Sequence, residues 1–229
     1  MMIDGIFFVN HALKVQQLSI YSNQERFEQT LDTLKSIHKH CPDNRIFIFD
    51  SSPELPDDDH VNKLQECGAT FFYNGSDPDV KRFSLMGQRS IAECITFLHF
   101  LNWFQKQDVK SKRIYKLSGR YRLNDNFILD REDYKDAFVF STALDSWMPK
   151  QLKDGIGVSK LFRLRLWHMD YNLLDSFHLQ LSKILQDCAN YGIDVEHSYY
   201  KNLNTYNTIE LDKIGVCGNI APNGEYIDE

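Results

Sequence analysis

Short apolar runs alternate with amphipathic helical stretches three times over in the first half of this chain, and few folds accommodate that order. Gly5–Val9 is a branched and aromatic run suited to a buried first strand. Ser22-Asn-Gln-Glu25 then has the pattern of a capping box, in which Ser accepts from a free amide and Glu reaches back. Phe27, Leu31, Leu34 and Ile37 recur on one helical face, and Pro42 lies just past the end. Arg45–Asp50 is a second apolar strand, closed by a carboxylate and broken by Ser51-Ser-Pro53. Val61–Cys67 reads as a short helix stopped by Gly68, and Ala69–Tyr73 as a third strand ending in the turn Asn74-Gly75. A long helix is expected from about Ser84 to Phe104, apolar on more than one face. A fourth strand then runs from Arg113 into the break Ser118-Gly119-Arg120, and Ala137–Phe140 is a fifth. Such alternation predicts an α/β fold with a mainly parallel central sheet flanked by helices and right-handed crossovers.

Beyond Pro149 the pattern loosens. Leu152–Val158 reads as a loop and Leu161-Phe162 as a short strand. A helix is expected from about Asp170 to Asn190, stopped by Gly192. Gly215-Val-Cys-Gly218 and the turn Pro222-Asn-Gly224 suggest a closing hairpin. Without a linker or repeat, residues 1–229 are expected to form one domain, with a ligand-binding half at 1–125 and a second half at 126–229.

Composition narrows the function classes. Hydrophobic residues at 42% and charged residues at 25% describe an ordinary globular chain, and a net charge of −6 argues against a protein that coats nucleic acid. The five cysteines contain no C-x-x-C pair, so reduced thiols and a cytoplasmic location (host cytoplasm if the protein is viral) are expected. No secretory leader and no transmembrane segment is read. Neither G-x-G-x-x-G after the first strand, nor a P-loop, nor G-x-S-x-G occurs, which disfavours dinucleotide dehydrogenases, P-loop NTPases and the simplest hydrolases.

In open parallel sheets, ligands bind beyond the carboxyl ends of the strands. Four such ends stand out: Asn10-His11, Asp50-Ser51-Ser52, Asn74 to Asp79, and Ser118-Gly119-Arg120. Lys116 and Arg120 beside the glycine break suit a diphosphate, the ordinary alternative being a charged strand end. Asp50 is placed to bond a ribose or base edge, or else to cap its own turn. Asp77-Pro-Asp79 follows a turn rather than a strand, so Asp125 is the better-placed oxygen ligand for Mg²⁺ or Mn²⁺. Lys116 and Arg120 are the metal-free alternative. In Asp194-Val-Glu196-His197, Glu196 is a candidate base and His197 a candidate metal or phosphate ligand. The competing explanation is a helix capped by Asp194 with a surface histidine.

Taken together, the capped helix with Arg26, the strand Phe47–Asp50, Lys116-Leu-Ser-Gly-Arg-Tyr121 and Asp194-Val-Glu196-His197 resemble the GT-A glycosyltransferases. The likeness is to a small bacterial or phage variant in which Lys116–Tyr121 stands where the family carries Asp-x-Asp. That resemblance implies a nucleotide-sugar donor, UDP-linked by expectation, held by Asp50, Arg89, Lys116, Ser118, Gly119 and Arg120. It implies Glu196 as the base that deprotonates the acceptor hydroxyl, and Mn²⁺ or Mg²⁺ as an optional cofactor. The acceptor would be a surface glycan or a hydroxylated base in phage DNA. Two other classes are carried alongside: a nucleotidyltransferase, disfavoured by the lack of glycine after strand one, and a non-catalytic nucleotide-sugar-binding module.

Overall fold

A computed structural model describes residues 3–14, 19–220 and 223–229 of the chain. In chain order the first half runs β1 (Ile3–His11), α1 (Asn23–His40), β2 (Arg45–Asp50), α2 (Asp58–Glu66), β3 (Ala69–Tyr73), α3 (Pro78–Leu85), α4 (Arg89–Phe104), β4 (Ser111–Ser118) and β5 (Tyr121–Leu123). It continues with β6 (Phe138–Ser141), β7 (Leu144–Asp145), α5 (Lys150–Ile156), β8 (Lys160–Leu161), β9 (Leu166–Asp170), α6 (Leu174–Tyr191), α7 (Val195–Leu203), β10 (Thr208–Leu211), β11 (Val216–Asn219) and β12 (Tyr226–Asp228).

A seven-stranded sheet has the order β10-β6-β9-β4-β1-β2-β3. β3, β2, β1 and β4 are parallel neighbours, as the alternating first half predicts. β9 enters antiparallel between β4 and β6. β5 leaves the sheet just after Arg120 and pairs instead with β11, which pairs with β12 in a small antiparallel sheet.

Because β1 is buried on both sides, its alternate residues feed two cores. Ile6 and Phe8 face the layer of α4 and α6, whereas Phe7 and Val9 face α1 and the small sheet. Phe8 is gripped by Phe97, Phe100 and Phe104 of α4, with ring centroids 6.3, 4.8 and 4.8 Å away and near-perpendicular planes. Edge-to-face pairs of this kind add to plain area burial and fix the angle of α4 against the sheet.

The capping box on α1 is formed in both directions by Ser22 and Glu25. Gly192 ends α6 in the left-handed region, and β11–β12 form the closing hairpin, although Pro222 of its expected turn lies outside the described residues. The expected 84–104 helix is two helices. Gly87 takes φ +77° between α3 and α4, and Asp77 caps α3 by accepting from the amides of Asp79 and Val80. The Asp-x-Asp of this segment is therefore helix punctuation. The expected loop at 152–158 contains most of α5, and the helix expected from Asp170 starts four residues later, because Asp170 ends β9. Among the described residues no helix is long and apolar enough to cross a membrane.

Truncation of Phe8→Ala should destabilise the protein by about 3–5 kcal/mol, lowering the urea midpoint with little change in slope. A loss below about 1 kcal/mol would show that this ring cluster does not hold α4 to the sheet.

Candidate active site

A cavity of about 600 Å³ opens at the carboxyl ends of β1 and β4. Its wall is drawn from Asn10 and His11 of β1, Arg26 of α1, Arg89 and Glu93 of α4, and Lys116 to Tyr121. Arg163 to Arg165, Asp194 to Glu196, and the rim residues Leu144 and Trp147 complete it.

Gly119 lets the strand ends meet. Its amide donates to the Asn10 carbonyl at 2.9 Å, and its carbonyl accepts from Thr30 Oγ1 at 2.8 Å. A Cβ there would lie 3.2 Å from the Asn10 carbonyl oxygen and 3.3 Å from both His11 Cδ2 and Val9 Cγ1. The chain then turns tightly, with the Arg120 amide donating to the Ser118 carbonyl, and the Arg120 side chain enters the cavity over the Tyr121 ring.

Three guanidinium groups share this end of the cavity. Arg26 is buried at the first turn of α1, where its Nε donates to the Ala12 carbonyl at 2.8 Å. Burial, then repulsion from Arg120 and Arg89, brings Arg26 down to about 10, against a smaller opposing pull from Asp50. Arg89, the first residue of α4, is lowered in the same sense by burial and by Arg120. Buried polar atoms without a protein hydrogen-bond partner concentrate here too: Arg120 Nε, Arg163 Nε, His11 Nε2 and Asn10 Oδ1. Cations that repel one another, beside unfilled hydrogen-bonding atoms, are the physical description of an anion site.

Lys116 and Asp50, both expected to hold a donor, are engaged by partners within the protein. Lys116 Nζ is buried and donates to Glu93 Oε1 and to the Leu164 carbonyl, each at 3.2 Å, while Asn10 Nδ2 donates to the same Glu93 oxygen at 3.0 Å. Its charge is thus answered by Glu93 inside the cavity wall. Asp50 is fully buried. Its Oδ1 accepts from the Ser52 amide at 2.7 Å, and its Oδ2 accepts from the Leu13 amide and pairs with His11 Nδ1 at 2.7 Å. Both carboxylate oxygens are used by the protein, and Asp50 reaches the cavity only through the histidine it orients. Ser118 lines the wall, with its amide donating to the Arg165 carbonyl at 2.8 Å.

Glu196 sits in the first turn of α7, which Asp194 caps and which meets the start of α4 through the Val195 amide on Ser90 Oγ at 3.2 Å. Burial raises its carboxyl from the ordinary 4.5 to about 7, helped by repulsion from Asp194 and Glu93 and opposed by its own backbone amide and by Lys116. His197 points away from the cavity into the interior, with Nδ1 2.6 Å from Asp194 Oδ1 and Nε2 2.9 Å from Ser146 Oγ. Both ring nitrogens are engaged, so it does not serve as a metal ligand here. Asp125 is 92% exposed, pairs with Lys39 at 3.4 Å and does not line the cavity. Among the described residues no three His, Cys, Asp or Glu side chains are grouped to hold a metal ion.

Sequence reasoning located Arg89, Lys116, Ser118, Gly119, Arg120 and Glu196 at the cavity, and His11 at one of its strand ends. It passed over Arg26, Glu93 and Trp147 as site residues. The available signal was weak: an arginine one turn into a capped helix, and a glutamate inside an apolar helix.

An Arg120→Gln variant should be no less stable than wild type at low salt, because the mutual repulsion is relieved. Its melting temperature should rise less with added sulfate than that of wild type, with an apparent anion affinity lower by about 5- to 30-fold. Equal sulfate responses would remove Arg120 from the anion site.

No family model matches the chain, and no curated protein sequence matches it. Solved structures do. Core-mannan synthase A (CmsA/Ktr4) from Aspergillus fumigatus, in a Mn/GDP form, aligns with a TM-score of 0.55 at 11% identity over 99% of this chain and 81% of that one. The mannosyltransferase Ktr4p from S. cerevisiae in complex with GDP gives 0.54 at 9%, over 90% and 67%. The galactosyltransferase LgtC with donor and acceptor sugar analogues gives 0.52 at 12%, over 91% and 73%. This chain therefore has the GT-A fold, the architecture shared by these glycosyltransferases.

Proposed function

We propose that this protein transfers a sugar from a nucleotide-sugar donor to an acceptor hydroxyl. The observation that carries this reading is one cavity, at the strand ends of a GT-A fold, lined both by a cluster of guanidinium groups and by a carboxyl held near neutrality.

The acceptor oxygen attacks the anomeric carbon, the bond from that carbon to the diphosphate oxygen breaks, and the acceptor proton passes to Glu196. A base with a pKa near 7 is partly ionised at neutral pH and still basic enough to take that proton. Negative charge grows on the departing diphosphate, where Arg26, Arg89 and Arg120 line the cavity. Lys116 holds Glu93 in place of contributing a free cation. The guanidinium groups are the cations that this cavity offers to the charge of the diphosphate. His11, fixed by Asp50, offers Nε2 to the donor, and Gly119 allows close approach of its backbone.

A thermal-shift screen against UDP-, GDP-, CMP- and dTDP-sugars identifies the donor, since a ligand that binds only the folded form raises the melting temperature. Two of the structural neighbours were solved with GDP, whereas the sequence resemblance points to UDP. Turnover should survive EDTA. Glu196→Gln should lower kcat by roughly 10²–10⁴-fold, and the wild-type rate should climb as pH rises through about 7.

Stability should move the other way. A carboxyl with its folded pKa raised from 4.5 to about 7 contributes stability below pH 4.5, and that stability is lost as pH rises through 7. Glu196→Gln should therefore melt higher than wild type at pH 8 and not at pH 4. Unchanged turnover in this variant would remove Glu196 as the base, and absence of any donor shift would favour a protein that does not use nucleotide sugars.

A further inference from the structure

Trp147 is 73% exposed and lines the cavity that contains Glu196. An exposed indole at a cavity rim offers a flat apolar face against which a ligand can pack. It is also anchored unusually well for an exposed ring. Its indole lies 5.3 Å from the buried His197 imidazole in an edge-to-face arrangement. The residue before it, Ser146, is buried and shares its hydroxyl with His197 Nε2 at 2.9 Å, while His197 Nδ1 meets Asp194 Oδ1 at 2.6 Å. Ser146 Oγ also accepts from the Met148 amide at 3.1 Å.

These bonds settle into one consistent chain. Ser146 Oγ–H donates to Nε2, and Nδ1–H donates to Asp194. The order Ser, His, Asp is that of a nucleophilic triad, but Ser146 is buried and does not line the cavity, so its oxygen meets no substrate. What the chain does is tie the β7–β8 arm, which carries Leu144 and Trp147, to the first turn of α7, which carries Glu196.

Resting on the glycosyltransferase reading above, we propose that Trp147, with the half-exposed Leu144 beside it, is the stacking platform for a sugar ring of the acceptor. Ser146 and His197 are positioning residues that hold this platform at a fixed distance from Glu196. The chemistry of the rim favours a carbohydrate. Asp194 and Glu196 line the same cavity as Trp147, and their carboxyl oxygens can accept from the hydroxyls of a sugar ring. The C–H face of a pyranose covers an indole while its hydroxyls stay free for those carboxylates.

The test uses methyl glycosides of glucose, galactose and mannose and, in parallel, a short duplex oligonucleotide. Trp167 is fully buried and Trp103 partly so, which makes Trp147 the main target of acrylamide quenching. At least one methyl glycoside should protect the wild-type emission from quenching. Trp147→Ala should weaken glycoside binding by tenfold or more while the melting shift caused by a nucleoside diphosphate persists, and Trp147→Phe should recover most of the loss. Ser146→Ala should weaken glycoside binding alone.

Protection by the oligonucleotide in place of every glycoside would overturn the proposal, as would equal loss of nucleoside diphosphate binding in Trp147→Ala. Failure of wild type to respond to any nucleoside diphosphate would strike the glycosyltransferase reading itself, and the acceptor platform would fall with it.

Discussion

Mutual repulsion among Arg26, Arg89 and Arg120 is the constraint around which the site is arranged. Arg26 is buried, Arg120 half-buried and Arg89 exposed, and burial together with repulsion from Arg120 lowers both Arg26 and Arg89. Such a cluster persists only if the surrounding fold over-determines it. Arg26 is held by its bond to the Ala12 carbonyl and by the capped start of α1, and Arg89 by its place at the head of α4. Arg120 is placed by the tight junction of β4 with β1 at Gly119. Three separate elements thus converge on one cavity, a form of preorganisation that a single flexible loop could not supply.

Further charges at the same strand ends are paired within the protein. Lys116 is answered by Glu93, Asp50 by His11 and two amides, and Arg163 and Arg165 by a shared oxygen of Glu229. Breaking a buried pair leaves an uncompensated charge, so these residues are expected to matter for folding whether or not they touch the ligand. The carboxylates divide similarly: Asp194 caps α7 and orients His197, leaving Glu196 as the acid whose raised pKa fits chemistry.

How much was legible in the sequence follows from which physical signals are local. Continuous apolar runs gave β1 to β4, and the two-sided burial they imply is what the sheet shows. Ser22–Glu25 and Gly192 marked helix ends because capping depends on neighbours a few residues away. β9 was passed over because its five buried residues include His168 and Asp170, which break an apolar run although the fold satisfies them. Gly87 divided a helix that looked continuous because its positive φ is a backbone fact, invisible in hydrophobic periodicity. In the site, Gly119, Arg120 and Glu196 could be found because they sit beside a strand end or a cap. Whether Asp50 faced a ligand or a histidine, and whether Lys116 was free or paired, depended on contacts 39 and 23 residues away in the chain. No pattern along the sequence encodes those choices.

The most direct test of the account is a structure of the wild-type protein with a nucleoside diphosphate, grown in the presence of Mn²⁺. The account predicts diphosphate oxygens within hydrogen-bonding distance of the Arg26, Arg89 and Arg120 guanidinium groups, with no cation bridged to protein carboxylates. A diphosphate held through Mn²⁺ by acidic side chains, or bound away from these three arginines, would contradict it.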